Sequence, residues 1–532
     1  MPRNFQLQTL QDFSGGLNLR SDQFNLANNE SPSMLNVDVD PRGGIKMRRG
    51  VKHRNTTALI QNVTGLCSFT PDSNPTRVIA SHGTTVVQSQ TTNFAQIAGV
   101  SVGNNDRLYG MTMNNKFYGV SGTASSFSYD GTTGTNLSQN MDGSAGNFPI
   151  CQYSTFHANF AWAGLTFEGG SYLRNRVRWS NANEPEKWTS TDYVDVNVGE
   201  RGDEISALVP FGDRLLIFKT NSVHALYGFG TESFQLVSLT QDAGSVSKSS
   251  PTSTPYGVYF WHDRQGVWLY DGSQFVWIFE KLQPAIDDGR LQFLTPPQLA
   301  WFNNRLYVSV DWSDSAGTPS RRTLIYDPSL GQGGAWTMTD IDVSVLLTFM
   351  PPNALHTLMG ATKATANTGR VVLLEQDRES DLYDPAAVSH ISSSYSSTWL
   401  TGKNPIVRKR WGKPRMITSS DSTVALTANL YTDYDRANWT KQMPFGVVTT
   451  DTSATWASSQ TGTPPNVVPV GGTGIWDTSL WAAELAQNVT QIQRLPTLGT
   501  AKAISIEIEG PTSNDAWEIN AMAFTYLPRR LR

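Results

Sequence analysis

Charge is scarce in this 532-residue chain: Asp, Glu, Lys and Arg together supply 16% of it, against about 25% in an ordinary globular protein. That shortage disfavours solvated helices, and Gly, Ser, Thr and Asn, the residues of turns, take up the difference. No basic excess exists either, since the formal net charge is -4, so no global field draws the chain onto nucleic acid. Cysteine is nearly absent. Cys67 and Cys151 stand far apart with no second cysteine or histidine at metal-ligand spacing, which argues against structural zinc and predicts two free, buried thiols. The seven histidines, spread from His53 to His390, offer no ligand set. No run approaches about eighteen apolar residues, and Met1 to Gln6 lacks the apolar core of a leader, so the chain is expected to have no stable membrane insertion and to be made in the cytoplasm without export.

Catalytic motifs are missing as well. The chain contains no GxSxG elbow, no phosphate loop, no HExxH and no calcium loop, which removes the commonest hydrolase, nucleotide and metalloprotease chemistries. Paired carboxylates remain to be weighed for glycoside hydrolysis. Asp203 with Glu204 is one candidate group, and Glu375, Asp377, Glu379 and Asp381 form another; the second reads as a solvated charge run. The Tyr-Asp-Gly turns lack the full pattern of a sialidase Asp box, and Arg201-Gly202-Asp203 reads as a turn. The expectation is therefore a non-enzymatic protein with no metal and no cofactor.

What is present is a recurrence of short β-branched and aromatic runs separated by Gly, Asn, Asp and Pro, the pattern of hairpins. One turn-plus-strand phrase recurs at Asn115, Asn159, Asp213, Gly257 and Asn304, with weaker copies at Asn74 and Asn353. A second phrase follows it, as Tyr129-Asp130-Gly131, Trp179-Ser180 with Trp188, Tyr270-Asp271-Gly272 with Trp277, and Tyr326-Asp327-Pro328 with Trp336. Two hairpins make four strands per period, and a period of about 40 to 50 residues is that of a propeller blade. A lone sheet of this size cannot bury both its faces, whereas sheets stacked around an axis can. The fold expected is all-β: an extended N-terminal arm over 1–60, a six- or seven-bladed β-propeller over 61–384, and a C-terminal antiparallel β-sandwich over 385–532. Two unrelated sandwiches with accidental spacing stay open as the alternative. Short helices are expected at Leu282 to Leu294 and Leu480 to Val489, and an extended loop at Thr449 to Gly474.

One basic cluster stands out: Lys403, Arg408, Lys409, Arg410, Lys413 and Arg415, with Trp411 among them and no acid between. It reads as a contact to a neighbouring subunit, as a charged strand edge that discourages aggregation, or as a phosphate contact.

The arm carries the most specific phrases: Asp12-Phe13-Ser14-Gly15-Gly16-Leu17-Asn18, Ser31-Pro32-Ser33-Met34-Leu35-Asn36-Val37-Asp38 and Gly43-Gly44-Ile45-Lys46-Met47-Arg48-Arg49-Gly50. In that order they resemble the opening of a family of bacteriophage tail proteins, the β-propeller nozzle or hub proteins of short-tailed phages. Arg178 to Trp188 resembles the family's propeller hairpin, and Lys409-Arg410-Trp411 with Tyr431 to Asp435 resembles its C-terminal sandwich. The resemblance implies a structural virion protein, made in the host bacterial cytoplasm, that forms a ring homo-oligomer, a hexamer, in the phage tail. It would extend and gate the DNA exit channel below the portal and adaptor during genome ejection. Implied partners are further copies of itself, tail adaptor and portal-proximal proteins, a tail fibre or tailspike, and viral dsDNA passing through without sequence-specific binding. An arm reaching onto the next subunit would place Phe13, Leu17, Met34, Leu35, Arg48 and Arg49 in the subunit interface, with Arg408, Lys409 and Arg410. The alternative is a receptor-binding or minor tail protein whose propeller recognises a host-surface glycan for host cell attachment.

Overall fold

Two local devices set the strands. In the inner hairpins, Asn114-Asn115, Ala158-Asn159 and Asn303-Asn304 all have φ between 48° and 67°, the left-handed pair that a two-residue type I′ hairpin requires and that Asn tolerates best. In the outer hairpins, Asp130 accepts the amides of Thr132 and Thr133 at 2.7 Å, and Asp271 those of Ser273 and Gln274 at 2.8 Å. Asp327 does the same for Ser329 at 2.9 Å. The aromatics before these turns, Tyr129, Tyr270 and Tyr326, are buried, so each Tyr-Asp phrase is a core residue followed by a turn.

The computed structural model describes the chain except for residues 1–4, 23, 73–74, 91, 198–202, 247–248, 293, 315–316, 332, 353, 363–368, 420–423, 448–490, 496, 512–514 and 529–532, with backbone alone at 445–447 and 491–494. Seven antiparallel sheets follow in order: blade 1 (63–101), blade 2 (109–136), blade 3 (151–195), blade 4 (205–240), blade 5 (252–277), blade 6 (291–339) and blade 7 (345–376). The inner strand of each blade packs on that of the next, and Val345–Phe349 of blade 7 packs on Val63–Phe69 of blade 1. The circle is closed, and the chain is a seven-bladed β-propeller. Asn74 and Asn353 lie outside the described residues.

Blade 7 supplies only three strands from its own segment. The fourth is Gly50–His53, which pairs with Val371–Gln376 through Val372 to His53 and Leu373 to Lys52. Residues from both ends of the propeller thus share one sheet, so the circle opens only if that sheet is pulled apart. Ser380–Asp384 and Ala387–His390 add to its outer side. The propeller accordingly includes 50–60, which the sequence reading had placed in the arm.

The C-terminal region is an antiparallel sandwich, and the arm is built into it. Gln6–Leu10 pairs with Glu518–Pro528, Val37–Val39 and Ile45–Met47 extend the same sheet, and Ser33–Leu35 pairs with Ser394–Ser396 in the other. Phe13, Leu17, Met34, Val37 and Ile45 are buried in one cluster with Trp261, Phe279 and Trp336 of the propeller and Tyr395 and Trp517 of the sandwich. This corrects the expectation of an extended arm that draws its stability from a neighbouring subunit: its apolar side chains are already covered by their own chain. Each such burial contributes roughly 1.5–3 kcal/mol, which the arm would lose by swinging outward.

The helix expected at Leu282 to Leu294 is short: a 3-10 turn, Glu280–Leu282, leads into Gln283–Asp287. Gly289, at φ 69°, stops it, and Leu291–Gln292 is already strand. The segments Leu480 to Val489 and Thr449 to Gly474 lie outside the described residues. Among the described residues no helix is long and apolar enough to cross a membrane.

Candidate functional site

Of the residues expected at a subunit interface, most are internal. Phe13, Leu17 and Met34 are at most 1% exposed; Leu35 is half-buried and Arg49 exposed. Arg48, 2% exposed, is a clasp between arm and propeller. Its guanidinium donates to both carboxylate oxygens of Asp381 (2.9 and 2.6 Å), to Asp340 (2.8 Å), to the Asn36 amide oxygen (2.8 Å) and to the Arg49 carbonyl (3.0 Å). All five of its N–H groups are thereby satisfied, as a buried guanidinium requires. Burial alone would lower its pKa, but the Asp381 hydrogen bonds and charge, with Asp340, hold it above the ordinary value. Asn36, at φ 55°, folds the chain so that its amide also receives the Asp340 N–H at 3.0 Å. Asp381 therefore does not belong to a solvated run, as the sequence suggested, but is the clasp's counter-ion.

A second network lies beside it. Arg305 pairs with Asp38 (3.5 Å) and Asp327 (3.2 Å), and Glu375, at φ 54° where the strand bulges, faces the same group. Burial, then the charge of Asp38, pushes the Glu375 carboxyl up to about 7 against the opposing pull of Arg305. The other carboxylate pair is also structural: Asp203 is buried, accepts from Ser222 (2.6 Å) and the Asn221 amide (2.9 Å), and lies 3.4 Å from the buried Lys219 ammonium. Arg201 and Gly202 lie outside the described residues. Among the described residues no group of three or more His, Cys, Asp or Glu is placed to hold a metal, and Cys67 and Cys151 are both free, the first half-buried and the second buried.

The basic cluster divides in two. Lys409 is 1% exposed, and its ammonium donates to the carbonyls of Asn404, Val407 (2.7 Å) and Lys502 (3.0 Å); burial lowers its pKa. It is a rivet inside the sandwich, not an interface residue. Lys403, Arg408, Arg410, Lys413 and Arg415 are exposed, and no ion pair holds any of them among the described residues. The strand Lys409–Trp411 runs between Glu518–Pro528 and Gly499–Ala501, so the reading of a protected sheet edge fails: both edges of that strand are already paired.

These cations border an apolar strip. Ile406 is 72% and Phe24 53% exposed, and Phe24 packs on Tyr434 at 4.7 Å, whose hydroxyl donates to the Pro405 carbonyl at 3.2 Å. Sequence reasoning missed Phe24 and Tyr434 because their approach joins the arm to the sandwich across the whole chain.

No family model and no curated protein matches this chain. Solved structures similar to it include BamB from Moraxella catarrhalis (11% identity, TM-score 0.36, covering 64% of this chain and 93% of that one). YCF48 bound to D1 peptide gives 11% identity and a TM-score of 0.38 over 65% of this chain and 100% of that one. PorZ, a surface component of the type-IX secretion system of Porphyromonas gingivalis, gives 11% and 0.37 over 68% of this chain but only 44% of its own. Such distant likenesses carry no function across; the propeller stands on its own strand order.

Proposed function

We propose that this chain is the ring-forming nozzle or hub protein of a bacteriophage tail, a structural protein whose copies together extend and gate the DNA exit channel. The observation that supports the reading is the surface around Ile406: an apolar strip rimmed by unpaired cations has the make-up of a docking face. Its complement is available on the same chain. Residues 228–288 carry seven acids against three bases, and Glu232, Asp242, Asp263 and Asp271 are exposed with no cation paired to them among the described residues. Glu232 and Asp271 lie at one end of blades 4 and 5 and Asp242 and Asp263 at the other; opposite charges on different parts of one chain favour head-to-tail contacts, which close into rings when the rotation allows. The axis of a single propeller does not serve as the conduit, because the Tyr109 hydroxyl of blade 2 reaches Ser249 at the entry to blade 5. DNA would pass between copies instead, along walls whose net charge discourages tight phosphate binding.

The test is assembly. Wild-type protein is expected to sediment as a closed ring, and the double change Arg408→Glu with Arg410→Glu to leave a folded monomer. In electron micrographs of the particle, the labelled chain should occupy a ring at the tail. A wild-type chain that stays monomeric at high concentration, or that is absent from the tail, would sink the proposal.

One observation favours the second reading, a host-glycan receptor-binding protein. Phe156, Phe229 and Tyr256 are 40%, 72% and 49% exposed, and all lie at the propeller face where the inner strands end. Sugar rings stack on such side chains. Glycan binding by the isolated protein that Phe229→Ala abolishes would move the assignment there.

A further inference from the structure

The opposite face of the propeller, where the inner strands begin, holds a cavity of about 280 Å³ on the axis. Segments entering five blades wall it: Val63 and Thr64, Arg107 and Tyr109, Ser249, Thr295 and Pro296, and Ser344 and Val345. Among the described residues no acidic side chain lines it. Among the described residues Arg107 is the one cation lining it, half-buried, with its guanidinium 5.4 Å from the Tyr109 ring centroid and without a carboxylate partner. Half-buried and without a carboxylate, it keeps N–H donors for an anion, whereas the fully buried arginines are already paired: Arg48 with Asp381, Arg178 with Glu168, Arg321 with Asp311 and Arg370 with Asp384.

The wall opposite is rigid. Arg321, buried beneath it, donates to the carbonyls of Thr295 and Pro296, both at 3.2 Å, and lies 3.2 Å from Asp311. Asp311 in turn accepts the Thr295 amide at 2.6 Å. Arg321 is thus balanced by Asp311, with the charge of Asp342 acting on it as well, and Arg107 is the guanidinium that reaches the cavity itself. The Tyr109 hydroxyl reaching Ser249 forms the floor, and the remaining surface mixes the hydroxyls of Thr64 and Ser344 with the apolar faces of Val63, Pro296 and Val345.

We propose that this axial cavity is a binding site for a small organic oxyanion, a carboxylate or phosphate ester with a compact apolar body, and that Arg107 is the residue that receives its charge. Guanidinium binds planar oxyanions through paired N–H bonds, and a few polar groups converging in a mainly apolar cleft is the usual make-up of a small-molecule site. The inference is independent of ring formation, since the cavity is complete within one chain.

The test uses the full-length protein titrated calorimetrically with inorganic phosphate and with phenyl phosphate. Phenyl phosphate should bind the more tightly, through the apolar walls. Arg107→Gln should weaken it at least tenfold, with Arg107→Lys falling between. Because Arg107 also lies over Tyr109, a second variant guards against a folding artefact: Asn105→Asp, at an exposed position of the same rim whose φ of 59° Asp also accepts, should weaken both anions by adding a repelling charge. Undiminished binding in Arg107→Gln, or no heat from either anion at about 20 mM, where even a weak site would be filled, overturns the proposal.

Discussion

Replacing Arg48 by Met should open the propeller at its closing sheet. The change deletes all five hydrogen bonds of the guanidinium and leaves Asp381, itself 5% exposed, with the Val51 amide at 3.0 Å as its one remaining donor among those it has here. Removing one partner of a buried pair costs about 3–5 kcal/mol, because the survivor keeps its desolvation without its attraction. The loss falls where Gly50–His53 holds blade 7, so amide exchange should speed first in Gly50–His53 and Val371–Gln376, before the outer strands of blades 2 to 5. The double change Arg48→Met with Asp381→Leu should recover much of the loss, since it removes the uncompensated charge as well. Stability of Arg48→Met within about 1 kcal/mol of wild type, or uniform exchange across all blades, would refute the clasp.

Other perturbations separate structural from surface roles. With its folded pKa raised above the ordinary carboxylate value, Glu375 contributes stability that is complete below about pH 4.5 and lost as pH rises through about 7; by linkage the loss is at most ~3 kcal/mol. Glu375→Gln should flatten that part of the pH profile in urea titrations, and an unchanged slope would count against the network. Lys409→Met should destabilise the sandwich by about 1–3 kcal/mol by stranding three carbonyls, whereas Arg410→Gln should shift stability by no more than about 0.5 kcal/mol; equal effects in thermal melts would contradict the division of the basic cluster. Asn304→Ala should cost about 1–2 kcal/mol at its φ of 58°, with Asn304→Gly nearly neutral in the same measurement.

The repeat was legible because its signals are local. An Asn pair that adopts left-handed backbone, or an Asp that caps the next two amides, acts within four residues, so Asn303-Asn304 and Asp271 announced their hairpins without reference to anything distant. The basic cluster was legible as composition only. Nothing in Lys409 distinguishes it from Arg410 until Asn404, Val407 and Lys502 place their carbonyls around it, and the last of these comes from a bend between two strands, 93 residues away.

The sequence by itself determined that the chain is built mainly of β-strands, how its hairpins are spaced, and that it carries no GxSxG, phosphate-loop, HExxH or calcium-loop motif. Tertiary structure alone decided that seven blades close, that Gly50–His53 completes the last of them, and that the arm lies in its own sandwich rather than on a neighbour. The physical reason is that strand pairing and charge burial depend on which surfaces meet: Arg48 and Asp381 are 333 residues apart, and no local preference of either encodes the other.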